Sequence, residues 1–152
     1  MMDGFGFGYK RDEQNGVLWR KVNNGGIEIY PDVDIGKNTI IDRGSYRDTS
    51  IGRNTKIDNL VHIAHNVIIG KSCLIVAGTI VGGSVEIGDY CYLGMNCSIK
   101  DHVKIGNHVL IAAGSVVISD VPDYDIVAGN PAVSIKDKVN ISDEERFQMV
   151  GY

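Results

Sequence analysis

The stretch from Ile51 to Gly78 reads IGRNTKIDNLVHIAHNVIIGKSCLIVAG, and an aliphatic residue returns in it at every sixth position. The series continues without a break through Ile51, Ile57, Ile63, Ile69, Ile75, Val81, Ile87, Leu93, Ile99, Ile105, Ile111 and Val117. Four residues after each member stands a small or β-branched residue. A helix repeats its apolar positions about every 3.6 residues, and hairpin sheets have irregularly spaced turns, so neither fits. The repeat predicts an all-β protein, a parallel β-helix with three hexads in each triangular turn.

The same repeat divides the chain into parts of a single domain. We predict an N-terminal cap segment at residues 1–26, which includes the alternating sequence GFGFGY from Gly4 to Tyr9. The β-helix is predicted at residues 27–121. It is interrupted by an inserted loop at residues 44–48, where the spacing of the aliphatic series lengthens by four residues.

The C-terminal part departs from the repeat. Two prolines break it between Val121 and Ala132, where we expect the chain to leave the prism. Residues 122–152 then form a C-terminal segment. Within it, Ser142 followed by Glu145 is the signature of a capping box and predicts a short final helix.

Composition narrows the classes of partner. The chain of 152 residues has a formal net charge of −4 and no basic stripe, which argues against nucleic acid as a partner. No apolar run approaches the roughly 20 residues of a membrane span, and the start lacks the apolar core of a signal peptide, so we expect a cytoplasmic protein. The three cysteines form no CxxC pair, and Cys73 and Cys91 are one turn apart. They are predicted to stack as small buried hydrophobes.

Two of the four histidines, His62 and His65, stand three residues apart in an apolar alternation. One turn after His65 comes Gly83, and one turn before it, allowing for the insertion, comes Arg43. A glycine beside an imidazole leaves a backbone N–H open to an oxyanion, and the inserted loop at the same corner supplies a wall for a ligand. His62 is expected to project from the same edge. The pattern predicts an active site at this corner.

These residues also carry a family resemblance. The sequence IDRGSYRDTSIGRNTKIDNLVHIAHNVIIG from Ile41 to Gly70, with DGFGF ahead of it, is similar to the UDP-3-O-acylglucosamine N-acyltransferases of lipid A and lipopolysaccharide synthesis. The pair HIAH also resembles the related UDP-N-acetylglucosamine O-acyltransferases. Both are hexapeptide-repeat acyltransferases. The resemblance implies a left-handed β-helix and a homotrimer with active sites between neighbouring prisms.

The resemblance further implies roles for individual residues. His65 is expected to be the general base, for which its reference pKa of about 6.5 is suited, and Gly83 N–H to bind the tetrahedral oxyanion. The resemblance also implies that Asn59 lies near the substrate and that Ala113 and Gly114 line the pantetheine channel. Our own hypothesis is that His62 and Asn59 position the sugar acceptor, and that Asp42, Arg43 and Asp48 shape its pocket.

The identity of the donor depends on the exit segment. VVISDVPDYDIVAGNPA, residues 116–132, looks like that of acetyl-CoA-dependent sugar acetyltransferases. We therefore expect transfer of an acetyl group from acetyl-CoA to the amine or hydroxyl of a nucleotide-linked aminosugar, without a permanently bound cofactor or metal. The alternative within the family is a UDP-3-O-acylglucosamine N-acyltransferase that uses a hydroxyacyl group on acyl carrier protein.

Two further alternatives belong to other classes. One is a zinc enzyme like the gamma-type carbonic anhydrases, with His62 and His65 as ligands. Their spacing of three residues, and the lack of a third histidine near that corner, argue against it. The other is a non-catalytic trimeric solenoid, which needs neither an inserted loop nor a histidine beside a glycine.

Overall fold

The protein is a left-handed parallel β-helix of about six turns, as the repeat and the family resemblance predicted. The computed structural model describes residues 6–142 and 144–145. Three parallel sheets form the faces of a triangular prism. In the described part of the chain, no helix has both the length and the apolar character needed to cross a membrane.

Each face consists of strands of two to four residues. A hairpin precedes the prism, with strands β1 (Tyr9–Arg11) and β2 (Leu18–Arg20). Face A contains β3 (Ile27–Ile29), β6 (Thr49–Ile51), β9 (Ile68–Ile69), β12 (Glu86–Ile87) and β15 (Lys104–Ile105). Face B contains β4 (Asp34–Ile35), β7 (Lys56–Ile57), β10 (Leu74–Ile75), β13 (Tyr92–Leu93), β16 (Leu110–Ile111), β18 (Ile126–Gly129) and β19 (Ala132–Ser134). Face C contains β5 (Ile40–Ile41), β8 (His62–Ile63), β11 (Ile80–Val81), β14 (Ser98–Ile99) and β17 (Val116–Val117). A 3₁₀ turn spans Lys136–Lys138.

The hexad explains this architecture position by position. The twelve aliphatic residues of the repeat point inward and are all buried, and the small or β-branched residues four positions later fill the rest of the interior. Three positions after each aliphatic residue from Ile51 to Ile111, the chain turns the corner with a positive φ, for example +61° at Asn66 and +74° at Gly78. Asn and Gly adopt that conformation at the least steric cost. The three cysteines are free and buried, as predicted.

The register of the strands sets which residues share a column. Ile63 pairs with Val81 one turn later and with Ile41 one turn earlier. The second step is 22 residues instead of 18, because the inserted loop lies within it. His65 consequently falls between Arg43 and Gly83, as predicted from the sequence.

The C-terminal part stays on the prism longer than expected. β18 pairs in parallel with β16, and Ile126 and Val127 are buried, so the expectation that the chain leaves the prism at Val121 is wrong. Val127 continues the inward column of Ile111 and packs into the core, so the face continues although the hexad is broken. The predicted capping box is present, since Glu145 N–H donates to Ser142 Oγ over 3.2 Å and Ser142 N–H donates to Glu145 Oε2 over 2.8 Å. The predicted helix beyond residue 145 lies outside the described residues.

The N-terminal segment also differs from the expected cap. Its residues 1–5, including the start of GFGFGY, lie outside the described part. Gly6 contacts His65 at the side of the prism, and residues 24–25 pair with the inserted loop. The glycine at position 6 and the paired loop backbones allow this close approach, which the hexad gives no means of predicting.

Candidate active site

His65 lies at the corner between faces C and A, packed against Gly83. A Cβ atom at Gly83 would lie 2.8 Å from Cε1 and 3.0 Å from Nε2 of the imidazole, so a side chain there would displace the ring. The Gly83 carbonyl accepts a hydrogen bond from His102 N–H, but its own N–H donates to no described residue. An unpaired backbone donor beside an imidazole is suited to binding an oxyanion. The predicted juxtaposition is therefore present.

The side-chain amide of Asn66 orients the His65 ring. Asn66 Oδ1 accepts from the backbone N–H of Ser45 over 2.7 Å, and Nδ2 donates to His65 Nδ1 over 2.8 Å. A backbone N–H can only donate, so the contact with Ser45 decides which end of the amide faces the ring. Nδ1 then holds a lone pair, and the neutral ring carries its proton on Nε2.

The inserted loop is clamped onto this corner by Arg47. Its guanidinium donates twice to the carbonyl of Asn66, over 3.1 and 2.9 Å, and to Glu86 Oε1 over 3.0 Å. The hydrogen bond from Arg47 lowers the pKa of Glu86, with Lys104 adding a smaller electrostatic contribution. The prediction from sequence missed both Asn66 and Arg47. Asn66 directly follows the key histidine in IAHN, which was the available signal, whereas Arg47 is recognisable only in three dimensions.

His62 pairs with the buried carboxylate of Asp42. Nε2 of the ring lies 3.3 Å from Oδ2 of Asp42, whose side chain is 9% exposed. The hydrogen bond to Asp42 raises the pKa of His62, and the charge of the carboxylate adds to this effect while burial opposes it. Asp42 occupies the column between those of His62 and His65, since Ile41 is in register with Ile63. The ring of His62 thus contacts a carboxylate whose column is next to that of His65.

Arg43 and Asp48, which were predicted to contact the sugar, form hydrogen bonds within the chain. Arg43 Nε donates to the carbonyl of Gly25 over 3.1 Å, and Asp48 Oδ1 accepts from Gly26 N–H over 2.6 Å. Both side chains thus hold residues 25–26, at the start of the prism, next to the inserted loop. Their contact with a substrate stays a prediction.

Asn59, Ala113 and Gly114 lie across face C from His65, at the corner between faces B and C. Asn59 shares its column with Ala113, three turns later, and its carbonyl accepts from Gly78 N–H. The column of Gly78 continues two turns later to Gly114, whose N–H donates to the carbonyl of Met95. Within one chain, the structure brings together His65, Gly83 and the His62–Asp42 pair. It does not bring the other three residues to that corner.

No group of three or more His, Cys, Asp or Glu side chains in residues 6–142 and 144–145 is arranged to hold a metal ion. The corner itself presents two imidazoles, of which one is hydrogen-bonded to an amide and the other to a carboxylate. The described part of a single chain thus offers no ligand set for the carbonic-anhydrase-like alternative.

Comparison with known proteins finds relatives of this chain. Residues 48–83 and 84–119 match the family described as bacterial transferase hexapeptide (six repeats). A "Probable UDP-3-O-acylglucosamine N-acyltransferase 2, mitochondrial" of Arabidopsis thaliana is 45% identical over 130 residues, which cover 86% of this chain and 42% of that protein. The UDP-3-O-acylglucosamine N-acyltransferase of Methylorubrum extorquens strain PA1 is 44% identical over 134 residues, covering 88% and 37%. The chain spans less than half of either relative.

Among solved structures, LpxA from Acinetobacter baumannii has the same fold. It superposes with a TM-score of 0.69 at 25% sequence identity, and the alignment covers 86% of this chain and 50% of that one.

The His62–Asp42 pair predicts a shifted titration. Because Asp42 favours protonated His62, the ring should titrate above the reference pKa of about 6.5 in NMR spectra recorded against pH. The pairing stabilises the fold fully below that reference value, and the contribution is lost as pH rises through the raised pKa. Asp42→Asn should lower the pKa of His62, whereas the control Asp101→Asn should leave it unchanged. An unaltered His62 titration in Asp42→Asn would contradict the assignment.

Proposed function

The chain belongs to the hexapeptide-repeat transferases, and from that premise we propose that it moves an acyl group from a thioester to the amine of a nucleotide-linked aminosugar at the corner of His65 and Gly83. The observation that carries the proposal is the imidazole packed against a glycine whose N–H has no partner among the described residues. The names of the relatives, at 45% and 44% identity, support an N-acyltransferase and a UDP-linked acceptor.

The reaction proceeds through a tetrahedral intermediate. The acceptor nitrogen attacks the thioester carbonyl, a C–N bond forms, and the oxygen gains a negative charge that Gly83 N–H stabilises. His65 takes the proton lost by the nitrogen. When the intermediate collapses, the C–S bond breaks and the departing thiolate receives a proton, so that amide and thiol are the products.

Only one neutral tautomer of His65 can act as the base at Nε2. To accept a proton at Nε2, the ring must carry its own proton on Nδ1, and the Asn66 amide must then turn its oxygen toward Nδ1. That turn leaves Ser45 N–H without its acceptor, at a cost of about 1–3 kcal/mol. A base that raises the rate by about 10² to 10⁴-fold contributes more than that cost. Asn66 therefore sets how readily the active form is reached.

The donor is an acyl thioester. The resemblance of the exit segment favours acetyl-CoA, with its pantetheine arm along the columns of Ala113 and Gly114. The relatives are named as N-acyltransferases, and the alternative donor that the family resemblance implies is a hydroxyacyl group on acyl carrier protein. Asn59 and His62 are proposed to position the acceptor, together with Asp42, Arg43 and Asp48. The cytoplasmic location predicted from the sequence stays a prediction.

A homotrimer would complete the site. Face C and its edges expose apolar side chains, with 44% of Ile40, 50% of Ile80 and 54% of Met95 accessible. A neighbouring prism packed on this face would cover them. It would also bring a second corner of the kind that holds Asn59, Ala113 and Gly114 close to His65, which explains why one chain leaves them apart.

Removing the imidazole should abolish most of the activity. Thiol release from acetyl-CoA, longer acyl-CoAs and acyl carrier protein thioesters is measured with UDP-linked aminosugars as acceptors. His65→Ala should lower turnover by about 10² to 10⁴-fold, the usual contribution of a positioned base. The control His102→Ala, at an exposed corner, should behave like the wild type. Near-normal transfer by His65→Ala would refute the assignment.

Asn66→Asp should favour the base form of His65. A carboxylate accepts from both Ser45 N–H and His65 Nδ1–H, so the ring can keep its proton on Nδ1 without a turn of the side chain. A larger share of the neutral ring should then be the Nδ1–H form, which can accept a proton at Nε2. Asn54→Asp, at another positive-φ corner, should not alter the tautomer of His65. Nitrogen-15 NMR of the ring reports the tautomer, and an unchanged Nε2–H form would contradict this role.

The proposed homotrimer is tested by measuring the mass of the protein in solution. Sedimentation equilibrium should give about three times the chain mass of 16.5 kDa. Ile80→Glu buries a charge at the centre of face C and should yield monomers, whereas Lys104→Glu on face A should remain trimeric. A monomeric wild-type protein would exclude this arrangement.

A further inference from the structure

The N-terminal segment reaches the candidate active site. A Cβ atom at Gly6 would lie 3.4 Å from Cδ2 of His65 and 2.8 Å from Nδ2 of Asn23. Gly6 has a φ of +67°, which any other residue would adopt at a steric cost. Gly83 approaches the Cε1 edge of the same ring. The imidazole thus has one glycine at each of two edges, and the segment after Gly6 begins at the site.

The residues after Gly6 present aromatic and cationic groups. The ring of Phe7 is 88% exposed and lies edge-on to Tyr9, with centroids 5.2 Å apart. Arg20 holds this segment in place. It donates to the carbonyl of Gly6 over 2.9 Å and to the hydroxyl of Tyr9 over 2.5 Å, and its Cζ atom lies 4.8 Å from the centroid of the Tyr9 ring. These contacts fix the residues on either side of Phe7, while the faces of its ring are accessible to a ligand.

The hairpin is positively charged in an acidic chain. Residues 9–21 contain four basic and two acidic side chains, whereas the whole chain has a net charge of −4. Arg20 is tied to the site through its contact with Gly6. The hairpin and the adjacent Phe7 thus combine a flat apolar surface with a guanidinium, which suits a ligand that has both an aromatic base and a pyrophosphate.

We infer that Phe7, Tyr9 and Arg20 form the subsite for the nucleotide of the acceptor, with the base stacked on Phe7 and the diphosphate beside Arg20. The inference rests on the proposed function and names where it recognises its substrate. Aromatic side chains bind bases through their faces with little dependence on sequence, because every base has a π-face. Planar guanidinium groups match the oxygens of phosphates.

The position of the hairpin assigns the subsite to the acceptor and not to coenzyme A, although both contain a nucleotide pyrophosphate. The thioester oxygen must lie at Gly83 N–H, on the later turn from His65. The hairpin is joined to the prism on the earlier side, where Asn24 N–H donates to the carbonyl of Ser45 and Gly25 N–H to that of Gly44. The acceptor must approach His65 from the side opposite the thioester, which is the side of the hairpin.

The test uses UDP as the probe and the full chain as the binding partner. Trp19, in β2 next to Arg20, is the one tryptophan in the sequence, so its fluorescence reports on the hairpin alone. UDP should change that fluorescence in a saturable way, and calorimetry should give the same affinity. Phe7→Ala should weaken UDP binding by about 10-fold or more, because it removes the stacking surface. The control Val22→Ala removes another exposed apolar side chain nearby and should bind UDP normally.

Kinetics separate this inference from the proposed function. Phe7→Ala should raise the KM for the UDP-linked acceptor by about 10-fold with little change in kcat or in the KM for the thioester. Equal UDP binding by wild type and Phe7→Ala, or a Phe7→Ala defect confined to coenzyme A, would overturn the inference even if acyl transfer is observed. UDP binding that depends on Phe7, in a protein that transfers no acyl group, would support the subsite and refute the proposed function.

Discussion

Every feature of this protein depends on the parallel hydrogen bonding of each turn to the turn before it. The strands are only two to four residues long, and none would be stable alone. Stacking pairs them across five or more turns on each face and buries one aliphatic residue from every hexad. Because the strands pair in a defined register, which is 18 residues in the regular turns, each side chain has defined neighbours above and below. On such a scaffold, a functional site forms where residues with suitable side chains occupy the same or adjacent columns.

The candidate active site arises where the regular repeat is interrupted. The inserted loop lengthens one turn by four residues and directs the backbone N–H of Ser45 toward Asn66. That contact orients the amide, and the amide orients His65. Arg47 holds the loop through the Asn66 carbonyl and Glu86. In a regular turn most backbone amides are consumed by hydrogen bonds between turns, whereas Ser45 N–H belongs to the insertion and is available to Asn66. The insertion thus supplies polar groups that the repeat lacks.

The same corner collects parts of the chain that are far apart in sequence. Gly6 approaches His65 from the N-terminal segment, and Gly83 approaches it from the following turn. Both contacts need the absence of a side chain, but for different reasons. At Gly83 a Cβ would strike the ring, whereas Gly6 also has a positive φ. The result is an imidazole bordered by backbone, with the hairpin and the later turns on different sides of it.

The sequence alone determined the prism, the buried cysteines and the juxtaposition of His65 with Gly83, because a strict period fixes both the inward positions and the columns. It also located the inserted loop, since an insertion is visible as a break in the count. Only the tertiary structure decided that Asn66 sets the tautomer of His65, that Asp42 pairs with His62, that β18 remains on face B and that Gly6 borders the site. Those contacts depend on side-chain directions and on segments outside the repeat, and no periodicity constrains where either will lie.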